Sequence, residues 1–294
     1  MNGRKIKEDF GSRVFNLINV ILMGIVVFIT LYPMLYILFA SFSDGNSLLR
    51  HTGMLWYPLD FSLEGYNAAF KDPMILKGYW NTLFVVFFGG FLSVAVTVVG
   101  AYSLTQKNFI LQKPIMIFVI FTMFFSGGMI PYYFTVREIG LYNSLWALIF
   151  PSLISTFNLI IMRTGYNSVP ETLYEAAKID GAGHFRIFGS IVLPLIKPTV
   201  TVISLYYMVN KWNSWFDAML FLQDRAKYPL QLILRGVLLA NETNAMTGSE
   251  VDRAAISESI KYAVIIISTL PILCAYPFLQ KYFVKGVMVG AVKG

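Results

Sequence analysis

Charge is what this sequence has little of. Only 13% of its 294 residues are charged, against about 25% in an ordinary soluble domain. That deficit points to lipid as part of the solvent. Cysteine is nearly absent. The single thiol, Cys274, excludes a disulfide framework within the chain and reads as packing inside an apolar run. The two histidines, His51 and His184, stand far apart with no metal-ligand spacing around them, so the sequence holds no zinc or haem motif. It also has no glycine-rich loop ending in Lys-Ser or Lys-Thr. Without that phosphate cradle the chain is not expected to hydrolyse ATP.

Long apolar runs are what it has instead. A membrane helix needs roughly 20 mostly apolar residues to cross about 30 Å of hydrocarbon. Six runs qualify: Val14 to Phe42, Tyr79 to Gln106, Pro114 to Val136, Ser144 to Met162, Thr199 to Leu222 and Tyr262 to Val284. Barrel strands would be about half as long and alternating, so the expected fold class is an all-α membrane protein of six transmembrane helices. Buried helices of a soluble protein are the alternative, but six such runs leave too little polar chain to cover them. The first run is far longer than the core of a signal peptide, and no small-residue cleavage site follows it.

The net charge is +7, and its distribution sets an orientation. With the segments alternating from the N-terminus, the first side carries thirteen bases against five acids, and the second carries nine against ten. The positive excess marks the first side as cytoplasmic. Both termini then lie in the cytoplasm, which places the chain as a multi-pass protein of a cell membrane. Residues 1–13 and 285–294 are short cytoplasmic tails around a membrane domain, 14–284. Topology accounts for the basicity, and no nucleic-acid partner is needed.

Local signals refine the picture. Gly127, Gly128 and Pro131 interrupt the third run. They mark either an ordinary kink against neighbouring helices or a broken helix beside a water-filled path, both of which membranes tolerate. The cytoplasmic stretch 163–198 reads as structured. Pro170 suits the first position of a helix, Glu171 and Glu175 its positive end, and Gly181 its stop. The short helix would present Leu173, Ala176 and Ala177 beside Glu175 and Asp180, a shape fit for docking. A helix lying on the bilayer would instead prefer a basic polar face. Outside, Tyr228 to Asn241 has helical character and Asn241 to Ser249 looks flexible.

The stretch Glu175-Ala176-Ala177-Lys178-Ile179-Asp180-Gly181-Ala182, followed by Phe188, Ile191, Leu193-Pro194 and Pro198, resembles the EAA loop of ABC importer permeases. The ending Val289 to Gly294 is similar to that of the carbohydrate-uptake, MalG-like class. Phe125 to Pro131, Phe157 to Arg163 and Tyr228 to Leu232 resemble its LplC-like branch. The resemblance runs from about the first apolar run to the C-terminus.

It implies a type I ABC importer permease fold, paired with a second, related permease. It also implies two ATPase copies on the cytoplasmic side, which carry the ATP and magnesium, and an extracytoplasmic solute-binding protein that delivers oligosaccharide cargo. The helix from Pro170 to Asp180 would be the coupling helix, with Glu175, Ala176, Ala177, Asp180 and Gly181 meeting the ATPase. On this reading the chain is not itself an enzyme. Rival readings are an ion-gradient-driven secondary transporter and a non-transporting scaffold. The first would need a charge relay and usually an internal repeat; the second would not need the loop.

The fifth run is the candidate cargo path. Tyr206, Asn210, Asn213 and Asp217 recur at spacings that put them on one helical face. Ser204, Tyr207, Lys211 and Ser214 form an adjacent stripe. Trp212 and Trp215 add aromatic rings, which stack on sugars while amides and carboxylates bond hydroxyls. Lys211 and Asp217, six residues apart, are not expected to pair directly. The polar stripe could instead be glue to the partner permease, or Trp215 and Asp217 could anchor at the external interface. The external loop from Asp224 to Lys261 could touch the binding protein or cap the cavity.

Overall fold

The computed structural model describes residues 9–106, 108–247, 258–274 and 277. Among them no strand forms, only one isolated antiparallel bridge between Ser43 and Phe61. In chain order the helices are α1 (Phe10–Ser41), α2 (Gly45–Arg50), α3 (Glu64–Lys71), α4 (Pro73–Ser103), α5 (Gln112–Phe124), α6 (Met129–Glu138) and α7 (Thr156–Asn167). They continue with α8 (Glu171–Ile179), α9 (His184–Leu195), α10 (Lys197–Trp212), α11 (Phe216–Phe221), α12 (Leu230–Thr247) and α13 (258–274).

The chain divides into two compact units, Met1–Lys71 with Leu238–Ile267, and Asp72–Val237 with Ser268–Gly294. In the first, α1 is exposed apolar chain for most of its length, and only its C-terminal end is built into a core. There Ala40, Leu48 and Leu55 are buried with Tyr36, Phe39 and Tyr262 against them. The Ser41 hydroxyl meets the Tyr66 hydroxyl at 2.9 Å, and the Ser43 hydroxyl accepts the Leu59 N–H at 2.9 Å. These bonds satisfy polar groups that the turn from α1 into α2 would otherwise bury.

The second unit packs α4, α7 and α10 around a core that includes Val98, Leu159, Met162, Tyr166 and Ile203. Asp72 starts α4 by accepting the Met74 N–H at 2.8 Å, with Pro73 in the first turn, where a missing N–H costs nothing. Residues Val85–Gly89 of α4 form a π-helical turn, a wide turn of the kind often found at functional positions.

The expected continuous spans are only partly continuous. α1 and α4, of 32 and 31 residues, are each long and apolar enough to cross a membrane. The pair α9–α10 passes the same test together, bent by 80° at Ile196; Pro194 and Pro198 remove helical donors on either side of the bend. The third run is broken into α5 and α6 by an extended stretch at 125–128, and Gly128 takes a φ of 84°. A mere kink is thereby replaced by a true break. The fourth run opens with a short 3-10 turn at Leu145–Leu148 and is α-helical only from Thr156, because Pro151 and the Ser155 cap favour an unwound approach. The fifth is interrupted at 213–215. Helix α12 continues to Thr247, through most of the stretch read as flexible. The remainder of that stretch (Gly248 and Ser249), Lys107 in the turn after α4, most of the sixth run beyond 274 and the terminal segments 1–8 and 285–294 lie outside the described residues.

Candidate functional site

The loop 163–198 is built from its stop signal backwards. Gly181 takes a φ of 74°, a left-handed conformation that side chains with a Cβ resist. Its N–H donates to Lys178 O at 3.0 Å and the Ala182 N–H donates to Ala177 O at 2.9 Å. That pair of bonds is a Schellman stop, which closes α8 and turns the chain back. Pro170 stands just before the helix rather than in its first position, and Glu171 lies in the first turn as expected.

The loop residues separate by face. Glu175, Ala176, Asp180 and Gly181 are exposed. Ala177 is not. It is 6% exposed and packs into the core of its own unit, beside Tyr174 and near Ile187 and Val192. Of the residues expected to meet the ATPase, Ala177 faces its own scaffold, where its small side chain lets α8 sit close. On either side of the stop, Ile179 and Phe185 project outward, 85% and 93% exposed. Between α8 and the end of α4 lies a cavity of about 1110 Å³, bordered by Tyr102, Gln106, Phe109, Glu171, Tyr174 and Phe185 among others. Burial pushes the Tyr174 phenol above its usual range, with Tyr102 adding to the effect. No local pattern marks this cavity, because its walls come from two regions far apart in the chain, 99–109 and 166–188.

The fifth-run residues also separate. α10 ends at Trp212, and the Asn213 amide caps it by donating to Val209 O at 3.0 Å. A single helical face therefore does not run through Asp217. The break nonetheless brings Tyr206, Asn210, Asn213, Trp215 and Asp217 to one open recess of about 520 Å³. Lys211 and Trp212 do not line it. Trp212 is buried, donates its indole N–H to Ser268 O at 3.1 Å and meets Tyr79 edge-on.

Lys211, 4% exposed, donates to the Ser152 hydroxyl at 3.1 Å and makes no direct pair with Asp217. Tyr207 of the same stripe meets Thr97 Oγ1 at 2.7 Å and accepts the Ser155 N–H at 2.9 Å. This stripe is glue, and within the unit it bonds to the chain's own α4 and the unwound stretch before α7. Gly89 makes the room: a Cβ there would lie 3.1 Å from Lys211 Cδ and 3.0 Å from an Ile149 carbon.

Residues 7–289 match the family described as the binding-protein-dependent transport system inner membrane component. The chain belongs to that family. It is a permease subunit of an ABC importer, in which hydrolysis is not this chain's task, and its fold is the permease fold of that class. It is 40% identical over 284 residues to Protein LplC of Bacillus subtilis (strain 168), covering 96% of each chain. It is 38% identical over 287 residues to the polygalacturonan/rhamnogalacturonan transport system permease protein YtcP of the same organism, covering 96% of this chain and 99% of that one. A crystal structure of a bacterial ABC transporter involved in the import of the acidic polysaccharide alginate contains a chain similar to this permease. That chain superposes with a TM-score of 0.87 at 30% identity, covering 95% of this chain and all of its own.

Proposed function

We propose that this permease carries oligosaccharides inward through six membrane crossings, with both termini in the cytoplasm, as one half of a permease pair. An extracytoplasmic solute-binding protein delivers the cargo. Two ATPase copies grip the α8 region of each permease, and ATP binding favours the state in which the cavity opens outward; hydrolysis resets it inward. A ligand moves such an equilibrium only by its differential affinity for the two states, and here that ligand is ATP on the partner chains.

The observation that carries this reading is the loop geometry within the family match: Glu175, Ala176 and Asp180 exposed on a helix whose Ala177 is fixed to the core. The exposed carboxylates suit basic groups of an ATPase cleft, and Ile179 and Phe185 supply apolar area beside them. One relative is named for polygalacturonan and rhamnogalacturonan transport and a similar structure for import of the acidic polysaccharide alginate, which favours oligosaccharides of acidic polysaccharides as cargo. The recess at the α10–α11 break offers the amide, carboxylate and aromatic groups that sugars use.

Uptake of labelled oligosaccharide into proteoliposomes tests the reading. Import should require the binding protein, the second permease and the ATPase together, and vanadate should stop it. Uptake driven by an ion gradient without ATPase would reject it. Within the same assay, Asn213→Ala and Asp217→Ala should lower the maximal rate if the recess lies on the path; unchanged kinetics in both would remove it from the path.

A further inference from the structure

The recess has one cationic neighbour that the fifth run does not supply. Arg235, on α12, lays its guanidinium over the ring of Trp215 with the carbon 4.0 Å from the ring centroid. Trp215 itself lines the recess beside Asn213 and Asp217. Its hydrogen bond among the described residues runs from Nη1 to the Met219 sulfur at 2.7 Å, a weak acceptor. No carboxylate among the described residues pairs with it. Stacking holds a guanidinium flat and leaves its N–H edges free, and those edges match a carboxylate two bonds at a time. The ring pre-orders the long side chain, so little rotamer freedom remains to be lost when an anion arrives.

Lys211 cannot play this part, since it is buried behind the recess and bonded to Ser152. Asp217 lines the recess but repels anions, and it suits sugar hydroxyls instead. Among the described residues, a guanidinium that pairs with no carboxylate and is stacked on a lining ring is therefore the feature beside the recess suited to negative charge. We propose that Arg235, held on Trp215, is a specificity-determining residue that binds the carboxylate of an acidic sugar unit as it enters the recess. This rests on the oligosaccharide-import reading above and adds to it a charge preference with a named residue.

The whole transporter with its binding protein, in proteoliposomes, is given trigalacturonate or the same trisaccharide fully methyl-esterified. The two differ by the carboxylate charge, so their uptake ratio reports charge reading. Arg235→Gln should lower uptake of the acid by about tenfold, the size expected for losing a hydrogen bond to a charged group, while ester uptake changes less than about twofold. Arg235→Lys keeps the charge but loses the planar fork, and it should fall between the two. Equal loss of acid and ester in Arg235→Gln overturns the proposal, because it shows a structural or docking role. Unchanged acid uptake overturns it as well. If the unmodified transporter hydrolyses ATP on docking yet imports no acid, the acidic-cargo reading falls and the proposal falls with it. Acid import that does not depend on Arg235 sinks the proposal alone.

Discussion

The Lys211 ammonium sits 3.1 Å from the Ser152 hydroxyl, with no carboxylate in direct contact. Ser152 already donates to Leu148 O at 3.1 Å, so its hydroxyl accepts from the lysine while its proton is used elsewhere. A buried cation held this way costs desolvation that one neutral acceptor only partly returns. Lys211→Met is therefore expected to leave the folded complex as stable as before, or more stable by up to ~4 kcal/mol. Thermal unfolding of the purified transporter checks this, and a marked drop in melting temperature would contradict it.

Tyr207 is the opposite case. Its hydroxyl serves Thr97 and the Ser155 backbone N–H together. Tyr207→Phe keeps the ring and strands both partners in a dry interior. The expected cost is about 1–3 kcal/mol, seen as a lower melting temperature and lower membrane yield. The unwound stretch before α7 should also become easier to cleave by protease.

Asn143 fastens the far end of the same unit. It takes a φ of 55°, and its side-chain oxygen accepts the N–H groups of Gln223 and Asp224, each at 3.1 Å. Lys227 reaches its carbonyl oxygen at 2.7 Å. Asn143→Ala loses the two side-chain bonds and keeps an unfavourable backbone angle, a loss of about 2 kcal/mol. Asn143→Gly should recover part of it. Melting of the two variants side by side separates the bond from the angle.

At Gly181 the left-handed backbone meets no side chain nearby. Gly181→Ala should therefore strain the stop by roughly 1 kcal/mol without a clash, and Gly181→Val should strain it more. Both proteins should fold, because the α8 surface is small and solvated. The readout is ATPase activity stimulated by the loaded binding protein, which should fall in the order Gly, Ala, Val while basal hydrolysis persists. An unchanged series would mean that the turn can shift without consequence.

Glu175→Ala removes an exposed carboxylate with no described intramolecular partner. Stability should move by less than about 0.5 kcal/mol. Co-purification of the ATPase should weaken, and restoring charge with Asp should recover part of it. Loss of stability instead would place Glu175 in the chain's own packing.

Much of this was legible in the residues. Run length announced α1 and α4, Gly127 and Gly128 marked the third run as kinked or broken without deciding which, and Gly181 announced the end of α8. The spaced pattern from Glu175 to Pro198 gave the family. Other features were hidden for physical reasons. Pro151 did mark the unwound approach to α7, but the apolar residues around it read as continuous span. Nothing as plain as proline or glycine marks the break at 213–215; Asn213 and Ser214 are only mildly poor helix formers. Helical periodicity put Asn213 and Asp217 on one face, and the break brings them to one recess by another route. The Arg235 stack and the cavity beside α8 depend on segments remote in sequence, which no local pattern connects.

The split of α8 into a seam-facing Ala177 and an outward Glu175 makes the loop sensitive to counting. A helix turns about 100° per residue. Inserting or deleting one residue between Ala177 and Gly181 would swing the stop, and with it Ile179 and Phe185, about a quarter turn around a seam that stays fixed. Single substitutions leave that phase intact. The loop can thus drift in composition while its length stays locked, and indels should be purged there long before they are purged from the outer turns.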